Sequence, residues 1–147
     1  MADFQFRHIA LSVGDLSKQR DFYASAFGFV EEIASIELPE MKTRLIILRN
    51  GAGAEIELVE CAESVAPPRV GLNEVARRRG YFAWALAVND LEGAFETAVS
   101  SGAVAVSAPG DAGRPGVRFA YLQDPEGNFI ELLQFREAGV SERACST

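Results

Sequence analysis

Apolar and small or polar residues alternate twice along the chain, first through His8-Ile-Ala-Leu-Ser-Val13 and again through Ala83-Trp-Ala-Leu-Ala-Val88. That period of two predicts a β-strand at each place, with Ile9, Leu11 and Val13 on one face of the first and Trp84, Leu86 and Val88 on one face of the second. The opposite faces carry His8, Ala10 and Ser12 in one strand and Ala83, Ala85 and Ala87 in the other. A packed core would not leave so much small-residue surface, so open volume is expected beside His8 and Ala83.

Each strand runs into an aspartate, Asp15 or Asp90, placed to accept backbone N–H groups of a first helical turn. After Asp15 the apolar positions Leu16, Phe22, Tyr23, Ala26 and Phe27 follow the helical period and stop at Gly28. After Asp90, Leu91, Ala94, Phe95, Ala98 and Val99 do the same and stop at Gly102. Further β-rich segments are expected over 29–33, 43–49 and 54–60, then over 103–107, 117–122 and 128–135. Reversals are expected at Asn50-Gly51 and at Asp124-Pro-Glu-Gly-Asn128.

The two series are one unit written twice. Residues 8–16 read against 83–91 at an offset of 75, and 54–59 against 128–133 at an offset of 74. Each half reads β-α-β-β-β, an α+β arrangement. The expected organisation is a single domain over 1–135, with half-repeats at about 6–60 and 81–135 and a linker over 61–80. A loop rich in glycine and proline over 108–116 is placed to lie over a site, and 136–147 reads as a disordered tail.

Composition narrows the function. A chain of 147 residues is long enough for one autonomous core. Fourteen Lys and Arg against 21 Asp and Glu give a net charge of -7, which argues against nucleic acid as a partner. Two cysteines, Cys61 and Cys145, are too few for a disulfide framework and fit a reducing, cytoplasmic setting. No apolar run approaches membrane-spanning length and no export signal is expected.

The stretches HIALSVGDL, FYASAFGF, AEIELVE and LQDPEGNFIELLQF resemble the vicinal-oxygen-chelate superfamily, the glyoxalase, bleomycin-resistance and dioxygenase group, across about residues 6–135. The resemblance implies two βαβββ modules forming an eight-stranded, incompletely closed mixed sheet, with helices on its outer face and a divalent metal on its concave face. Matched residue by residue, the four ligand positions fall on His8, Glu57, Ala83 and Glu131. The implied metal set is therefore His8, Glu57 and Glu131, with Glu131 also the catalytic base.

Strand alternation gives independent reason to single out Glu131, which shares a face with Phe129, Leu133 and Phe135. A carboxylate there needs a cation, a donor or a proton. An oxygen-rich set suits iron, manganese, nickel, cobalt or zinc. His8 is the only histidine, so a two-histidine site is excluded and a three-ligand one remains. Arg44 is a candidate anchor for a substrate carboxylate. Glu55, Glu60 and Glu63 read as a solvated acidic patch, and Arg77-Arg78-Arg79 as a solvated linker face.

The leading expectation is a metal-dependent lyase, isomerase or epimerase acting on a small oxygenated molecule through a metal-polarised carbonyl. The alternatives are a metal-free ligand-binding or drug-sequestering protein, and a dioxygenase with an atypical site of one histidine and two carboxylates. A homodimer is expected, because relatives pair modules either within a chain or between two.

Overall fold

The computed structural model describes residues 1–136. The first half contains β1 (Ile9–Val13), α1 (Leu16–Phe27), β2 (Glu31–Leu38), a single 3-10 turn at Pro39–Met41, β3 (Thr43–Arg49) and β4 (Glu55–Cys61). A short helix, α2 (Leu72–Arg77), lies in the connection. The second half contains β5 (Trp84–Ala87), α3 (Leu91–Ser100), β6 (Val104–Asp111), β7 (Val117–Gln123) and β8 (Phe129–Phe135).

The duplicated pattern becomes two equivalent four-stranded mixed sheets, ordered β1-β4-β3-β2 and β5-β8-β7-β6, neither of them closed. β1 runs parallel to β4 with Ala10 opposite Glu57, and β5 runs parallel to β8 with Ala85 opposite Glu131. The other pairs are antiparallel.

Both helices start where their caps place them. The Asp15 side chain accepts Lys18 N–H at 2.9 Å and the Asp90 side chain accepts Gly93 N–H at 3.0 Å. Gly28 closes α1 in the left-handed region, at φ 71°. Asp90→Ala is expected to cost about 1 kcal/mol in chemical denaturation, the usual worth of a lost N-cap.

The bulky faces of β1, β4 and β3 meet α1, burying Val13, Ile46, Ile56 and Leu58 against Leu16, Phe22 and Tyr23. Leu122, Ile130 and Leu132 are buried on the corresponding face of the second sheet. Each fully buried Leu or Ile contributes about 1.5–3 kcal/mol by leaving water. The halves share this core: Trp84 of β5 packs on Tyr23 and Phe29 of the first half, with ring centroids 5.9 and 6.1 Å apart, and α1 packs on α3.

Two expectations change. The loop expected over 108–116 is shorter, 112–116, because β6 continues to Asp111, its register shifting between Ala105 and Ser107 and again between Ser107 and Gly110, and none of 108–116 lines the groove described below. An edge strand tolerates Pro109 there, and the bulges absorb the Pro-Gly pair. The linker also holds α2, with an Arg78–Glu74 ion pair at 2.6 Å. The tail expectation falls, beyond Arg136, outside the described residues.

Candidate functional site

Alternation along β1 and β4 turns His8 and Glu57 away from the core, onto the open face of the first sheet. There His8 Nε2 and Glu57 Oε2 lie 2.8 Å apart. His8 Nδ1 is buried without a hydrogen-bond partner, so the ring is held from one side only.

The second half repeats this geometry with different chemistry. Glu131 occupies the place of Glu57, and its Oε1 accepts the Tyr121 hydroxyl at 3.1 Å. Ala83 takes the place of His8 and has no donor atom. Burial, and then the hydrogen bond to Glu131, push the Tyr121 hydroxyl up to about 12, so it remains a donor across the neutral range. Phe119 and Phe82 pack on Tyr121, and Phe82 stacks on Phe129, giving the half-buried carboxylate a largely aromatic surround.

His8 and Glu57 are thus together, and Glu131 is not with them. Among the described residues no three His, Cys, Asp or Glu side chains lie close enough to hold a metal ion. The convergence expected from the sequence is not achieved within one chain. The pair joins an imidazole nitrogen and a carboxylate oxygen, both atoms of the kind a divalent cation takes, and at 2.8 Å they are within hydrogen-bonding distance of each other.

Arg44 is on the other face. β3 sets Arg44 opposite Glu60 and Ile47 opposite Glu57, so Arg44 and Glu57 point in opposite directions. Its Nε and Nη2 donate to the Glu60 carboxylate at 3.0 and 3.2 Å, and Glu60 also accepts Leu16 N–H at 2.7 Å. The Arg44 hydrogen bond, and then the Leu16 amide, hold the Glu60 carboxyl below its ordinary range. This contribution to stability is present at neutral pH and is lost as pH falls through the acidic range. Arg44 anchors a helix start and does not face the His8 side.

The acidic patch also dissolves on inspection. Glu55 is buried, with Arg49 Nε and Nη2 donating to Oε1 at 3.0 and 2.8 Å and Arg7 Nη2 3.1 Å from Oε2. A glutamate flanked in space by Arg49 of β3 and by Arg7, which precedes β1, gives no sign of this in its own segment. Glu63 is exposed and pairs with Lys42.

β1 and β5 are the inner edges of the two sheets, and a groove of about 1260 Å³ lies along both. Residues of both faces line it, His8, Ala10, Ala83 and Ala85 from one side and Ile9, Leu11, Trp84 and Leu86 from the other, because it runs between the two strand edges.

The Glyoxalase/Bleomycin resistance protein/Dioxygenase superfamily model matches residues 5–132. A probable lactoylglutathione lyase of Vibrio cholerae is 26% identical over 138 residues, covering 94% of this chain and 96% of that protein. The lactoylglutathione lyase of Escherichia coli O157:H7 is 27% identical over 132 residues, covering 90% and 93%. Among solved structures, a glyoxylase/bleomycin resistance protein/dioxygenase domain from Frankia sp. EAN1pec superposes with a TM-score of 0.74 at 17% identity, covering 94% and 96%. Glyoxalase I from Zea mays gives 0.68 at 24% identity, covering 87% of this chain and 43% of that one. No helix among the described residues is long and apolar enough to cross a membrane.

Proposed function

We propose that this chain, which belongs to the glyoxalase/bleomycin resistance protein/dioxygenase superfamily, is a lyase- or isomerase-type enzyme for a small oxygenated molecule, with Glu131 as its base. The carrying observation is the His8–Glu57 pair, 2.8 Å apart on an open sheet face, at the place where the repeat-related sheet carries Glu131. The names of the lactoylglutathione lyases of Vibrio and Escherichia support this class of reaction.

A homodimer in which His8 and Glu57 of one copy face Glu131 of the partner subunit would complete the donor set that one chain leaves divided. Exposed Ile36 and Phe135, on the open faces of the two halves, are the apolar surface such pairing would cover. A divalent cation held by these three side chains would polarise a carbonyl or two vicinal oxygens and stabilise the negative charge that develops beside them. Glu131 then takes the proton from the adjacent carbon and returns it. Tyr121 fixes one carboxylate oxygen by donating to it, and the aromatic surround limits water.

Divalent cations are expected to raise the thermal midpoint of the wild-type protein and not of His8→Ala, by about 2.7 kcal/mol of stabilisation at a hundredfold excess over Kd. Sedimentation is expected to show a dimer. If no divalent cation stabilises the protein and only large cationic drugs do, the metal-dependent reading gives way to that of a sequestering protein.

A further inference from the structure

The two halves differ most where the groove is deepest in chemistry. In the first half, Arg7, Arg49 and Glu55 form the ion triad described above. Their repeat counterparts, at the offsets 75, 74 and 74, are Phe82, Gln123 and Phe129. There the charged cluster is replaced by two stacked rings, with centroids 6.4 Å apart and planes inclined by 20°. Arg7, Glu55, Phe82 and Phe129 all line the same groove, so a cationic end and an aromatic wall face one ligand-sized space beside His8.

The triad does not exhaust its donors. Two guanidiniums present ten N–H groups, and a single carboxylate accepts only a few of them. Arg49 spends two nitrogens on Glu55 and reaches Glu31 at 3.5 Å with the third. Arg7 contacts Glu55 through one nitrogen while its side chain is 69% exposed. Arg7 Nη2 lies 3.1 Å from the buried Glu55 Oε2 without the alignment of a hydrogen bond, so the ion pair keeps the guanidinium beside the groove and leaves its fork free. The planar fork of a guanidinium matches a carboxylate through two parallel charge-assisted hydrogen bonds.

We propose that Arg7, kept beside the groove by the buried Glu55 carboxylate, anchors a carboxylate of the substrate while the substrate's aromatic or other apolar body packs on Phe82 and Phe129. The inference deepens the proposed function, since it rests on His8 marking the reacting end. It names the substrate class as carboxylates with an apolar body. Arg7 is a specificity-determining residue and takes no part in proton transfer.

The test is calorimetric binding of 3-phenylpropionate and of its neutral isostere 3-phenylpropanamide to the full chain, repeated on Arg7→Gln and on Glu131→Gln. The carboxylate is expected to bind about tenfold more tightly than the amide, the worth of a charge-assisted hydrogen bond. That advantage disappears in Arg7→Gln, measured below its own thermal midpoint so that the folded protein is compared, and persists in Glu131→Gln. Raising the salt concentration weakens the acid and not the amide. Equal binding of acid and amide, binding of neither, or an advantage that survives Arg7→Gln overturns the proposal. Failure of the proposed enzyme reading shows instead as absent divalent-cation stabilisation with the acid's advantage intact.

Discussion

Asp124→Ala is expected to destabilise the protein by about 3–5 kcal/mol, the cost of breaking a buried, fully hydrogen-bonded polar cluster. For a chain of this size that is a fall of roughly 10–15 °C in the thermal midpoint. Asp124 has no exposed surface and its carboxylate accepts five hydrogen bonds. Oδ1 takes Glu126 N–H and Asn128 N–H, both at 2.9 Å, which closes the β7–β8 turn. Oδ2 takes Asn128 Nδ2 at 2.8 Å, Gln19 Nε2 at 3.0 Å and the Tyr23 hydroxyl at 2.8 Å. Gln19 and Tyr23 belong to α1 of the other half, so this one side chain both folds a turn and ties the modules together.

The repeat supplies the control. Asn50, 74 residues earlier, accepts Ala52 N–H and Ala54 N–H at 3.1 and 2.9 Å in the equivalent turn, but makes no bond to the opposite module. Asn50→Ala therefore loses only local turn bonds and is expected to cost about 1 kcal/mol. Urea denaturation of the two variants separates turn formation from module coupling, and equal losses would remove the coupling role from Asp124. Tyr23 adds a pH signature. Burial first, and then the charge of Asp124, raise its hydroxyl well above the ordinary value of 10. A raised value means that the folded state holds its proton longer than the unfolded one. This contribution is complete below about pH 10 and is lost as pH climbs beyond it.

Much of this architecture is legible in the sequence because it depends on local signals. Alternation around Ile9 and Trp84, the caps at Asp15 and Asp90, and the matched turns at Asn50 and Asp124 each act over a few residues and occur twice. Edge strands are less legible: β2 runs Glu31–Leu38 where 29–33 was expected, and β6 runs past Pro109. Such strands bury little and carry weak periodicity. Arg44 was within reach of counting, since the Asn50 turn sets Ile47 opposite Glu57 and so puts residue 44 on the other face. Glu55 was not, because its burial depends on Arg49 of β3 and on Arg7 arriving from the segment before β1. The division of the His8–Glu57 pair from Glu131 was also out of reach, since alternation assigns each residue a face of its own sheet and leaves open where the two sheets stand.

Glu131→Gln is expected to lower turnover by 10²–10⁴-fold while leaving the fold intact, the usual contribution of a positioned general base. The amide keeps an oxygen that can accept the Tyr121 hydroxyl, and it occupies the same half-buried place on β8, so the thermal midpoint should move little. What it loses is the capacity to take a proton, together with the charge it would bring to a bound cation, so the exchange is read at saturating divalent cation. The chemistry is best read as uptake of solvent deuterium at the carbon beside the carbonyl of lactoylglutathione, a probe chosen because the relatives that support the proposed function are named lactoylglutathione lyases. That exchange requires only the removal and return of one proton and does not depend on later bond cleavage. Tyr121→Phe is the necessary comparison: it removes the 3.1 Å hydrogen bond and keeps the carboxylate, so a loss of only about tenfold is expected. A Glu131→Gln protein that still exchanges at more than a tenth of the wild-type rate would reduce Glu131 to an orienting group. A wild-type protein that exchanges no deuterium would remove lactoylglutathione as a substrate. The ordering of the two variants decides whether the second half of the repeat supplies the reacting group or only its surroundings.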